Sequence, residues 1–101
     1  MYLAMNRFRI VRGQEETFIE HWRNRESHLD RVPGFVRFHL LKGSETDEYT
    51  LFASFTEWAD EDAFVAWTHS DAFRAAHVNA GQTTRDLYLG PPQLELFNAV
   101  L

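Results

Sequence analysis

Residues 2–11, YLAMNRFRIV, alternate between two faces. Tyr2, Ala4, Asn6, Phe8 and Ile10 fall on one, and Leu3, Met5, Arg7, Arg9 and Val11 on the other. A period of two marks a β-strand, because successive Cβ atoms project to opposite sides. The Tyr2/Phe8/Ile10 side is the one suited to a core, so the opening strand carries an amide, Asn6, on its buried face. A buried amide costs on the order of 1–3 kcal/mol unless it is hydrogen-bonded. Asn6 therefore needs a partner, either structural or a ligand.

The rest of the chain follows from where this strand can pair. Gly13 breaks it, and a helix is predicted from about Gln14, with Phe18, Trp22, Arg25 and Leu29 on one stripe and Ile19 beside it. VPG at 32–34 ends that element. Phe35–Leu41 and Tyr49–Phe55 read as a β-hairpin joined by the polar GSETDE. Asp60 is a predicted N-cap for a helix carrying Phe64 and Trp67, and Ser70 is a second cap signal. Helical character continues through Phe73, Ala76 and His77, NAG at 79–81 closes it, and a last strand runs from about Gln93 to Leu101. The order β-α-β-β-α-β is that of a ferredoxin-like α+β fold with an antiparallel sheet, in one domain spanning 1–101.

Such a sheet is covered by helices on one face only. Here both faces are bulky: Val36, Phe38 and Leu40 are predicted to oppose Phe35, His39 and Leu41, and Phe52 to oppose Tyr49, Leu51 and Phe55. That pattern predicts sheet-to-sheet pairing in a homodimer, a dimeric α+β barrel. Residues 79–92, NAGQTTRDLYLGPP, form a long connection that either hides a short strand around DLYL or serves as a lid.

Composition narrows the function. The chain has no cysteine, which removes thiolate metal sites, disulfides and cysteine nucleophiles. A net charge of −5 argues against nucleic acid and anionic membranes as partners. Arg7, Arg9 and Arg12 cluster without an acid, whereas residues 44–63 hold seven acids and no Lys or Arg; the acids read as solvated hairpin and cap residues. No apolar run approaches the ~20 residues of a membrane span, and no signal peptide is evident, so a cytoplasmic location is expected. Fifteen aromatics, nine of them Phe, suit a flat ligand or a large interface.

Asn6, Trp67 and His77 stand out against this background. Taken singly, a histidine in a last helical turn reads as a dipole or core residue and Trp67 as core. Together they resemble a family pattern. The string W-x-x-S-x-x-F-x-x-A-H (Trp67, Ser70, Phe73, Ala76, His77), the PGF turn at 33–35 and an Asn in strand one are similar to the IsdG-like heme-degrading monooxygenases of the antibiotic biosynthesis monooxygenase superfamily, over nearly the whole chain.

That resemblance implies a dimeric ferredoxin-like enzyme with heme as cofactor and substrate. O2 and an external electron donor would open the porphyrin ring and release iron. It also implies His77 as the proximal iron ligand, Trp67 as the residue that distorts the macrocycle, and Asn6 as the amide donor to the distal oxygen ligand. A neutral imidazole suits iron, a rigid indole suits ring distortion, and an amide N–H donates without titrating. On one straight helix Trp67 and His77 would lie about 80° apart, but the Ser70 cap signals a break that frees their relative direction. Arg74 and Arg85 are possible partners for the heme propionates, and no motif places them. Two other readings stay open: a cofactor-independent monooxygenase of the same superfamily acting on a quinol-like aromatic, and a non-enzymatic heme-binding protein.

Overall fold

The computed structural model describes residues 1–25, 29–77 and 85–101, without the side chains of 75–77 and 85. The opening strand, β1 (Tyr2–Val11), behaves as its alternation requires: Tyr2, Ala4, Phe8 and Ile10 are buried. It is central in the sheet. On one side it pairs antiparallel with β3 (Tyr49–Trp58), from Tyr2↔Trp58 to Val11↔Tyr49. On the other it pairs with β4 (Gln93–Asn98), from Tyr2↔Asn98 to Arg7↔Gln93. The hairpin strand β2 (Phe35–Glu45) lies outside β3, giving the order β2-β3-β1-β4. With α1 (Glu15–Arg23), α2 (Glu61–Thr68) and α3 (Asp71–His77), this is the ferredoxin-like α+β fold.

The cap residues fall where the sequence places them. Asp60 Oδ1 accepts from the Ala63 N–H at 2.8 Å and starts α2. Ser70 Oγ accepts from the Phe73 N–H at 3.1 Å, starting α3, and donates to the Trp67 carbonyl at 2.6 Å, closing α2. The second helical region is therefore two pieces with a joint at 69–70.

Several boundaries differ from expectation. The first helix ends at Arg23 with Asn24 as its C-cap, and Leu29–Arg31 forms a separate 3-10 turn; the expected continuous stripe to Leu29 is broken. In β2, Phe35 faces Trp58 and Arg37 faces Glu57, so Val36 is an extra, bulged residue. The bulge interrupts the period of two. It puts Phe35 on the same side as Phe38 and Leu40, and Val36 is 46 % exposed rather than packed beside them. The last strand stops at Asn98, where the Ala99 N–H bonds the Met1 carbonyl, leaving Val100 and Leu101 exposed. DLYL is not a strand. Arg85–Leu87 is a 3-10 turn, and Tyr88 makes a single bridge to Ile10 that brings Leu87 and Tyr88 to the core. The expected stop at NAG and the lid segment up to residue 84 lie outside the described residues, as does His28.

The helix-covered side of the sheet holds two apolar clusters. Phe18, fully buried, anchors α1 on Phe8, Ile10 and Phe52, with Leu87 alongside; burying such a side chain contributes about 1.5–3 kcal/mol. Tyr2, Ala4 and Trp58 form the other cluster, packed by Phe64 and Trp67 of α2 and by Phe35. Asn6 lies between the clusters along β1. Among the described residues no helix is long and apolar enough to cross a membrane.

The start of α1 is tied to the sheet by Glu15. Its carboxylate accepts from the Thr50 hydroxyl at 2.8 Å and from the Gly13 N–H at 2.9 Å. The Thr50 bond foremost, then its own and the Gly13 backbone N–H groups, hold its carboxyl below the usual range. A carboxyl with a depressed folded-state pKa adds stability above its unfolded value and loses it as pH falls through the folded one. The stability gap between wild type and Glu15→Gln is therefore expected to be full at neutral pH and to close below about pH 4. Denaturant melts at a series of pH values measure it, and a gap independent of pH would reject the ionic role.

Candidate active site

Between the two apolar clusters the described residues leave the sheet open around a cavity of about 1030 Å³. Its floor comes from β1 and β3: Ala4, Asn6 and Phe8 on one strand, Ser54 and Thr56 on the other. Register explains the grouping, since Asn6 stands opposite Ser54 and Ala4 opposite Thr56. Both hydroxyl residues are buried on the helix-facing side of β3, at 8 % and 9 % exposure.

The walls are aromatic. Trp67 lines the cavity from α2 and Phe73 from α3, their rings edge-on at 4.8 Å. Behind Trp67 stands Trp58, with centroids 5.3 Å apart, so the indole is braced from the core side. Across the cavity Trp22 stacks on Phe38 at 5.5 Å, and Tyr88 stacks on Phe8 at 5.8 Å. Arg25 lies over the Trp22 ring, 4.4 Å from its centroid, and also lines the cavity. Burial pulls its guanidinium below the ordinary arginine value; a cation so placed favours an anionic group on whatever occupies the space.

Asn6 carries the strongest chemical signal. Its Oδ1 is buried and has no hydrogen-bond partner among the described residues. Orphaned buried acceptors are rare in folded proteins and call for an explanation. Sealed as it is, that oxygen calls for a partner within the protein, and the end of the amide left to face the cavity is Nδ2, a donor.

Of the residues singled out from the sequence, Asn6 and Trp67 line this cavity. His77 closes α3, one helical turn beyond Phe73, and its side chain lies outside the described residues. Arg85's side chain is likewise outside, and Arg74 is exposed and paired with Asp71. His69 caps α2, and His39 sits on the opposite face of the sheet against Phe55, at 6.0 Å. Sequence reasoning missed Arg25, Ser54 and Thr56 as site residues. The signals were there: a cation on an otherwise apolar helical stripe, and hydroxyls alternating along the buried side of a strand.

The profile of the antibiotic biosynthesis monooxygenase family matches residues 1–79. The chain belongs to that family. Proteins similar to this chain include ones named for heme degradation and one named as a cofactor-independent oxygenase. A protein of Bacillus thuringiensis named heme-degrading monooxygenase is 30 % identical over 81 residues, 80 % of this chain and 75 % of that protein. The structure of the heme degrader MhuD of Mycobacterium tuberculosis, with two hemes bound in its active site, superposes with a TM-score of 0.74 over the whole of this chain and 97 % of the other, at 24 % identity. SnoaB of Streptomyces nogalater, a cofactor-independent oxygenase, superposes with a TM-score of 0.68 over 99 % of this chain and 93 % of its own, at 27 % identity.

If Asn6 serves a ligand rather than the fold, removing its polarity costs the empty protein little. Asn6→Leu, which keeps the branching and the number of side-chain heavy atoms, is expected to melt no lower than wild type by calorimetry. A fall of roughly 4–8 °C, equivalent to ~1 kcal/mol in a domain of this size, would make Asn6 a structural residue.

Proposed function

We propose that this chain is a heme-degrading monooxygenase, with heme as both cofactor and substrate and with O2 and an external electron donor as co-reactants. The observation that carries the reading is the cavity itself: a space of about 1030 Å³ between flat aromatic walls, over a floor from which Asn6 offers an amide. Support comes also from the Bacillus relative's name and from the fold shared with a heme degrader. The residues present fit the group. Heme is planar and apolar with two carboxylates, and Trp22, Phe38, Trp67 and Phe73 offer ring faces and edges while Arg25 offers the countercharge.

In this reading each residue has a task that suits its chemistry. His77 ligates the iron through a neutral imidazole. Trp67 presses on the macrocycle, and its bracing by Trp58 and Phe73 stops it yielding. Asn6 supplies an amide N–H from the floor, a neutral donor that keeps its proton across the physiological range. Arg25 meets a propionate. The aromatic walls exclude bulk water, which strengthens the polar contacts inside. Bound heme itself supplies the oxygen activation that opens its ring and frees iron; the electrons come from outside.

Hemin added to the purified protein is expected to give a Soret band saturating at one heme per chain, lost in His77→Ala. Ascorbate or a reductase with O2 should then bleach it and release chelatable iron. A flat titration rejects the reading and favours a cofactor-independent oxygenase acting on a quinol-like aromatic, a class with which SnoaB shares both fold and 27 % identity. A Soret band stable under reductant leaves heme binding without degradation.

The same proposal extends to the assembly. The side of the sheet without helices carries Leu3, Met5, Leu51, Phe55 and Phe97, half-buried or exposed. We read it as the surface that meets a second copy, sheet against sheet. Light scattering should return twice the chain mass of 11.9 kDa, and Phe55→Glu should return the single mass. A wild-type protein that stays at the single mass at micromolar concentration overturns the dimer.

A further inference from the structure

Among the described residues that flank Asn6 on the sheet, one carries a donor for its unpartnered oxygen. Asn6 is flanked across the sheet by Ser54 on β3 and Leu94 on β4, and along β1 on the same face by Ala4 and Phe8. Of these only Ser54 has a donor. Directly opposed residues bring their Cβ atoms to roughly 4.5–5.5 Å, so a turn about the serine side-chain torsion can bring its hydroxyl to the asparagine carbonyl, whereas residues on the diagonal, as Thr56 is, are roughly 7–8 Å apart. Ser54 is 8 % exposed, lines the cavity, and has a single side-chain torsion to turn.

We propose that Ser54 is a positioning residue for Asn6: its hydroxyl donates to Asn6 Oδ1 and so turns Nδ2 toward the ligand. An amide is nearly symmetric in shape and opposite in sign at its two ends. Unheld, it can present either a donor or an acceptor to the cavity. Held at Oδ1 by a hydroxyl, it presents N–H. Ser54 thereby sets the sign of the polar contact that the floor makes, without touching the reacting atoms. The inference deepens the heme reading and rests on it for its main readout.

The test is the C–O stretching frequency of the carbon monoxide complex of the reduced, heme-loaded protein, which falls when a donor points at the bound molecule. Ser54→Ala is expected to raise the frequency toward that of Asn6→Ala, or to split the band as the amide takes both orientations. Ser54→Thr, which keeps the hydroxyl, should retain the wild-type band, and Ser54→Ala placed on Asn6→Ala should change nothing further. A Ser54→Ala band at the wild-type position, or an equal shift with Asn6 already removed, overturns the proposal. Should wild type form no carbonyl complex, the heme reading fails by itself. The pairing is then read from thermal melts of the apoprotein, where the shifts of Asn6→Ala and Ser54→Ala should be non-additive; additive shifts overturn it.

Discussion

The helices are too short for the sheet they cover. α1 has nine residues and α2 eight, roughly 12–14 Å of rise, against strands of ten or eleven residues that run roughly 33–36 Å. Phe18 fixes α1 over one end of β1 and β3, and Phe64 with Trp67 fixes α2 over the other. What lies between cannot be sealed by either. There the strands change character, with Asn6, Ser54 and Thr56 where Phe8, Phe52 and Trp58 stand to either side. Polar groups on a floor resist dry closure, because desolvating them without partners costs more than the apolar contact returns. The cleft is thus a product of both length and pattern.

The walls gain their rigidity from the same division. Each apolar cluster ends in an aromatic that belongs partly to the core and partly to the cavity: Trp22 against Phe8 and Phe38 on one side, Trp67 against Trp58 and Phe73 on the other. A ring held on its core face cannot rotate out of the way of a ligand without unpacking that core. Preorganisation of this kind lowers the ordering cost of binding.

Much of this was legible in the sequence, for physical reasons. Strict alternation made β1 and the inward side of Asn6 readable, and hydroxyl and carboxylate caps gave the joint between α2 and α3. The bulge at Val36 was not readable, since one extra residue in a run of apolar and basic residues leaves no local mark. The early end of α1 was hidden because Arg25 and Leu29 continue the helical spacing that the backbone abandons at Asn24. In the site, Asn6 was recognisable by itself as an amide on a buried strand face, and Trp67 only together with Asn6 and the string that ends at His77. Arg25, Ser54 and Thr56 each left a mark, a cation on an apolar stripe and hydroxyls on a buried strand face, but their convergence depends on register and on a gap between helices, neither of which a linear pattern encodes.

The joint at Ser70 separates what holds the protein together from what it presents to a ligand. One hydroxyl both finishes α2 and begins α3, so each helix has its own hydrogen-bonded terminus. Among the described side chains neither apolar cluster draws a residue from α3, and Phe73 lines the cavity and meets Trp67 edge-on. What α3 offers a guest is therefore set on a helix with its own start, joined to the rest of the fold at the Ser70 hydroxyl and at the Phe73–Trp67 edge.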